Sequence, residues 1–142
     1  MEVSLCALPV TEGPPFKRSG RGPTVPVLRI GVWAEPMPTP LEDGFVVDTG
    51  CDLDLVMQAE LRDRIRAVGV RSRRVVIQWG WPVVAERYAV RAIVGGRWTK
   101  AEAYFPLSPE TEDNLVGMPM LRFEAVCLRP PVQQTWVGRP MG

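Results

Sequence analysis

Asp48-Thr49-Gly50 follows the apolar run Phe45-Val46-Val47, so a carboxylate stands at the end of a short strand with buried character. A carboxyl group held there can take a proton from water or give one to a carbonyl oxygen, which is general acid–base work. Asp52 and Asp54 follow closely and complete a D-x3-D-x-D cluster. The chain has no histidine. Ser-His and Cys-His nucleophile pairs are thereby excluded, as are metal sites built on imidazole. Carboxylates are the leading candidates for any chemistry here.

The cluster has a second reading. The two-apart carboxylates of Asp52-Leu53-Asp54 suit a hard-cation site or an aspartyl phosphatase. Against that, the strand precedes Asp48 rather than Asp52, and the chain lacks the alternating βα units such folds need. Asp52 and Asp54 are therefore read as solvent-facing or turn-stabilising groups. No metal and no other cofactor is expected.

The elements that must position Asp48 are mostly strands. Val25, Val27, Leu28, Ile30, Val32 and Trp33 give a largely alternating pattern, ended by Pro36-Met37-Pro38-Thr39-Pro40. A second strand covers Phe45 to Asp48, and Leu53 to Met57 is another short apolar segment. One helix is expected over Gln58 to Val68, with Leu61, Ile65 and Val68 on one face and Gly69 to stop it. Val75 to Trp79 and Val83 to Val94 are β-branched and aromatic, separated by Trp79-Gly80-Trp81-Pro82. Gly95-Gly96 marks a tight turn into Trp98 to Phe105. Pro106 to Asn114 reads as polar loop, and Leu115 to Leu121 with Phe123 to Leu128 close the unit.

Composition sets outer bounds. At 142 residues the chain is one domain, too small for a two-lobed enzyme. Fifteen prolines and thirteen glycines punctuate short segments and favour a β-rich fold over a helix bundle. A formal net charge of +1 gives no general push toward nucleic acid or anionic membrane. The arginines between Arg62 and Arg74 form the one basic patch; Glu60 and Asp63 dilute it, so it reads as a solvated helix face rather than a nucleic-acid surface. Cys6, Cys51 and Cys127 are odd in number and widely spaced, which suits reduced thiols. With no membrane-length apolar run and no signal-peptide pattern at the start, the expected location is the cytoplasm.

Two separated stretches, Phe45-Val46-Val47-Asp48-Thr49-Gly50 and Asn114-Leu115-Val116-Gly117-Met118-Pro119-Met120-Leu121, together resemble the retropepsin-like aspartic proteases. In that single-lobed family Asp-Thr-Gly carries the catalytic acid, and a later apolar-apolar-Gly segment packs beneath it and leads into a short helix. The resemblance covers about residues 25–129. It implies an all-β domain, a closed barrel of the acid protease fold with half a site per chain. Residues 1–24 are then an N-terminal arm and 130–142 a C-terminal tail. There is one departure: Cys51 stands where the family usually has Ala or Ser.

The resemblance also assigns roles. Two carboxylates sharing one proton hydrolyse the peptide bond, so a second copy must supply the second Asp48 across a two-fold axis. Like charges so close cannot both ionise, and aspartic proteases are the established example of a carboxylate pair whose proton affinities split for that reason. Asp48 would be the acid/base, Thr49 would hydrogen-bond across the homodimer, and Gly50 would let the two backbones approach. Trp79, Gly80 and Trp81 are the flap candidate, a tip that would fold over an extended polypeptide substrate; the alternative is that Trp79 and Trp81 fill the core of a β-sheet. The alternative is a non-catalytic module of the same fold that dimerises or binds extended peptides.

Overall fold

The structure is a computed structural model that describes residues 6–12, 17–18, 24–66, 72–78, 81–94, 96–107, 113–121, 125–129 and 134–140. In chain order the strands are β1 (Cys6–Glu12), β2 (Lys17–Arg18), β3 (Thr24–Val25), β4 (Val27–Trp33), β5 (Leu41–Asp48) and β6 (Leu55–Val56). A 3-10 turn (Ala59–Leu61) and α1 (Arg62–Arg66) follow, then β7 (Ser72–Gln78), β8 (Trp81–Val94), β9 (Arg97–Pro106) and β10 (Leu115–Gly117). The chain ends with α2 (Met118–Leu121), β11 (Ala125–Arg129) and β12 (Gln134–Pro140).

Seven strands form one sheet in the order β4-β5-β10-β6-β9-β8-β7, and β4 also pairs with β8. That extra pairing closes six strands into a barrel and leaves β7 outside, on β8. Alternation explains which way β8 faces. Glu86, Tyr88, Val90, Ala92 and Val94 are buried, while Arg87, Ala89, Arg91 and Ile93 lie outward or half-buried. At Gly96, φ is 76°, the left-handed conformation in which glycine pays no Cβ penalty, and the chain turns there into β9. From that turn the β8–β9 register runs unbroken from Val94↔Arg97 to Ala85↔Pro106.

The core fills the barrel. Leu28, Ile30, Val32, Phe45, Leu55, Met57, Ile65, Phe105 and Val116 are all fully buried, each contributing about 1.5–3 kcal/mol of burial for the larger aliphatic and aromatic groups. Tyr88 and Phe105 meet edge to face with ring centroids 5.4 Å apart.

The sequence expectations differ from the structure at several elements. Among the described residues, the helix expected over Gln58 to Val68 begins as a 3-10 turn and is α-helical over Arg62–Arg66; residues 67–69 lie outside the described residues. Gln58 is extended, with φ −61° and ψ 141°, and its side chain makes no cap, so nothing holds a regular first turn. Ile65 is nonetheless buried, as its spacing predicts. Pro106, expected in a loop, is the last residue of β9. Residues 134–140, inside the stretch read as a tail, form β12. That strand lies between β1 and β11 in a three-stranded sheet.

Candidate active site

Strand β10 is three residues long and lies between β5, to which it is parallel, and β6, to which it is antiparallel. Its register sets Leu115 beside Val46, Val116 beside Val47 and Gly117 beside Asp48. The two sequence stretches singled out above thus come together at one point of the barrel.

Asp48 ends β5 and opens a tight turn. Cys51 N–H donates to Asp48 O at 3.2 Å, and Gly50 N–H donates to the Asp48 carboxylate at 3.0 Å. A side-chain oxygen accepting the amide two residues on is the Asx arrangement, which fixes the carboxylate relative to its own backbone. Asp48 is half-buried, and Thr49 and Gly50 are exposed.

The turn is pinned from below. Met118 N–H donates to Cys51 O at 2.9 Å, and Gly117 N–H donates to Asp54 O at 3.0 Å. A Cβ on Gly117 would fall inside the carbonyl oxygen of Leu53 and 2.8 Å from that of Cys51, so the loop can lie on this strand only because the residue is glycine. At Gly50 the situation is different. A Cβ there would meet Asp48 Oδ1 at 3.4 Å, an ordinary contact, so no contact among the described residues demands glycine at that position.

Cys51 is half-buried with its thiol 3.7 Å from Leu53 O. Burial pushes the thiol pKa up, and the Asp48, Asp52 and Asp54 carboxylates push it further the same way. It is a protonated turn residue rather than a poised nucleophile.

The three aspartates of the cluster do not act as one group. Asp54 Oδ2 accepts the Glu102 amide at 2.9 Å, tying the end of the Asp-bearing loop to β9. Asp52 is exposed. Among the described residues no three acidic or cysteine side chains converge as metal ligands. Trp79 and Gly80 of the flap candidate lie outside the described residues; Trp81 is the first residue of β8, opposite Gln78 of β7. A cavity of about 610 Å³ is lined by Trp33, Glu35, Asp54, Arg91, Lys100 and Glu102 among others, and it does not include Asp48, Thr49 or Gly50. Thr49 and Gly50 are exposed instead, and Asp48 is half-buried beside them.

Sequence reasoning missed two polar anchors and misplaced a third residue. Glu86 is 3% exposed, accepts a hydrogen bond from Tyr88 Oη at 2.8 Å and lies 3.6 Å from Arg62. Arg62, read as part of a solvated helix face, is thus turned onto β8. The signal for Glu86 was its parity: it shares the inward phase of Tyr88, Val90, Ala92 and Val94. Asn114 is the second missed residue, 1% exposed immediately before β10, with its carboxamide hydrogen-bonded at both ends.

Among the described residues no helix is long and apolar enough to cross a membrane. Comparison with protein-family models and with curated proteins gives no match. Among solved structures the chain is similar to the EIAV protease complexed with the inhibitor HBY-793. The TM-score is 0.50 at 19% identity, and the match covers 70% of this chain and 86% of that one. A β-rich closed barrel of six strands with short helices, similar to a retroviral protease over most of that protein's length, is a retropepsin-like fold.

Proposed function

We propose that this chain is an aspartic endopeptidase that works as a homodimer. The observation that carries the reading is the setting of Asp48: a half-buried carboxylate at a strand end, held by the Gly50 amide and backed by Gly117 on the next strand. In this reading each copy supplies one Asp48. One carboxylate, ionised, takes a proton from the attacking water; the other, protonated, donates to the substrate carbonyl oxygen. The exposure of Thr49 and Gly50 supports a second copy meeting the site there, and the room beside Gly50 supports a glycine kept for that meeting. Residues 25–129 are the proposed catalytic domain. Trp79, Gly80 and Trp81 are proposed to cover an extended peptide, and the cytoplasm is the proposed location.

Digestion of a diverse peptide mixture from acidic to neutral pH, read by mass spectrometry, tests this. Wild type and Asp48→Asn are run side by side. Cleavage by the wild type alone is expected. Cleavage by both overturns the role of Asp48, and silence from both in a dimeric preparation replaces the enzyme with a peptide-binding module.

A further inference from the structure

We propose that Asn114 is a positioning residue for Asp48, and that its buried carboxamide, working against Asp43, sets the register of β5 on β10. The proposal rests on the reading of Asp48 as the acid–base group.

Three segments meet at Asn114. Its Nδ2 donates to Asp43 Oδ2 at 3.1 Å, 71 residues away on β5. Its Oδ1 accepts the Gln58 amide at 2.9 Å, on the chain leaving β6. Its own carbonyl accepts the Val46 amide at 2.7 Å. Asp43 is itself fixed, since its Oδ1 accepts the Gly44 amide at 2.7 Å.

The need for such a device follows from topology. Strands β5 and β10 are parallel and no tight turn links them, so turn geometry cannot fix their register. With only three residue pairs, the ladder alone is a weak specifier. A slip by one residue would turn Val116, now fully buried, toward the other face and move Gly117 away from Asp48. In the slipped arrangement Asn114 would leave Asp43 and the Gln58 amide without their partner. Buried polar groups stripped of partners are costly, so the carboxamide penalises the wrong register more than it rewards the right one.

The test exchanges the two side chains. Asn114→Asp alone sets a carboxylate against the Asp43 carboxylate. Combining it with Asp43→Asn restores every hydrogen bond with the polarity of one reversed: the carboxamide now on β5 donates to the carboxylate at position 114, just ahead of β10, which still accepts the Gln58 amide.

For the single variant, kcat is expected to fall roughly 100-fold while KM holds, the signature of a misplaced reacting group in an otherwise intact groove. The double variant is expected to recover most of that loss. A single variant with wild-type kcat, or a double variant no better than the single, overturns the proposal. If Asn114→Asp does not fold, recovery of folding and kcat by the double variant carries the test.

Amide hydrogen exchange at Val46, which donates across to Asn114 O, reads the same register without any substrate. Protection is expected to drop in the single variant and return in the double. Should the wild type cleave nothing, the endopeptidase reading fails, and exchange decides the role of Asn114 alone: unchanged protection in the single variant overturns it.

Discussion

Gly117 lies beside Asp48 on a parallel ladder, and the loop that begins at Asp48 folds back so that the Leu53 carbonyl occupies the space a Gly117 side chain would need. Backbone meets backbone there, so neither partner can yield by changing a rotamer. Gly117→Ala is expected to destabilise the fold by about 3 kcal/mol, the upper end of ordinary overpacking, and to release the loop. Urea denaturation checks the first effect, and exchange of the Cys51 and Met118 amides checks the second. An alanine variant with a wild-type midpoint would show that the loop does not rest on this strand.

Glu86 ties β8 to α1 through Arg62 and shares its other oxygen with Tyr88. Glu86→Ala removes an acceptor from both and is expected to cost about 2–4 kcal/mol, below the top of the range for a broken buried pair because Arg62 retains some solvent. Tyr88→Phe removes the hydroxyl's hydrogen bond to Glu86 and is expected to cost about 1 kcal/mol. The two losses should not add when combined, because the tyrosine hydroxyl depends on the same carboxylate. A thermal or urea series over the three variants measures this, and strict additivity would refute the shared anchor.

Cys51 should be slow to alkylate in the native state. Its folded pKa is raised, chiefly by burial, so the folded protein holds the thiol proton more tightly than the unfolded chain does. The linked stability is therefore full below the unfolded thiol pKa and is lost as pH climbs through the folded one. Iodoacetamide labelling followed by peptide mass mapping should place the native Cys51 rate profile at higher pH than the profile in urea. Coincident profiles would show that the turn does not shield the thiol.

If the proposed homodimer is the active form, specific activity falls on dilution, because each chain supplies one Asp48. Thr49→Ala should move that fall to higher protein concentration while leaving the fold intact. Activity measured over a dilution series, alongside sedimentation at the same concentrations, decides it. A variant that dissociates no more readily than wild type would remove Thr49 from the contact.

Period-two alternation made most strands legible, and the inward phase of β8 could be followed residue by residue from Tyr88 to Val94. The pairing of the Asp48 stretch with the Gly117 stretch was visible as a resemblance between two separated motifs. What the sequence did not disclose was polar and non-local. Asp54 reads as a loop carboxylate until the Glu102 amide is seen beside it, and Asn114 reads as loop until Asp43 and Gln58 appear at its two ends. No local periodicity encodes a hydrogen bond between residues so far apart. The helix was overdrawn for a related reason: Leu61 and Ile65 have helical spacing, but the extended, uncapped Gln58 lets a 3-10 turn form first.

The short strand β10 has a consequence for the order of events during synthesis. The backing of Asp48 comes from residues 115–117, so a growing chain that has already built the long β8–β9 hairpin still carries an acid on an unsupported strand end. Contacts this distant in sequence close late and slowly, after the local hairpins have formed. The site is therefore expected to be among the last parts of the barrel to assemble, since a ribosome-bound fragment ending before Gly117 has the Asp48 carboxyl without residue 117 beside it.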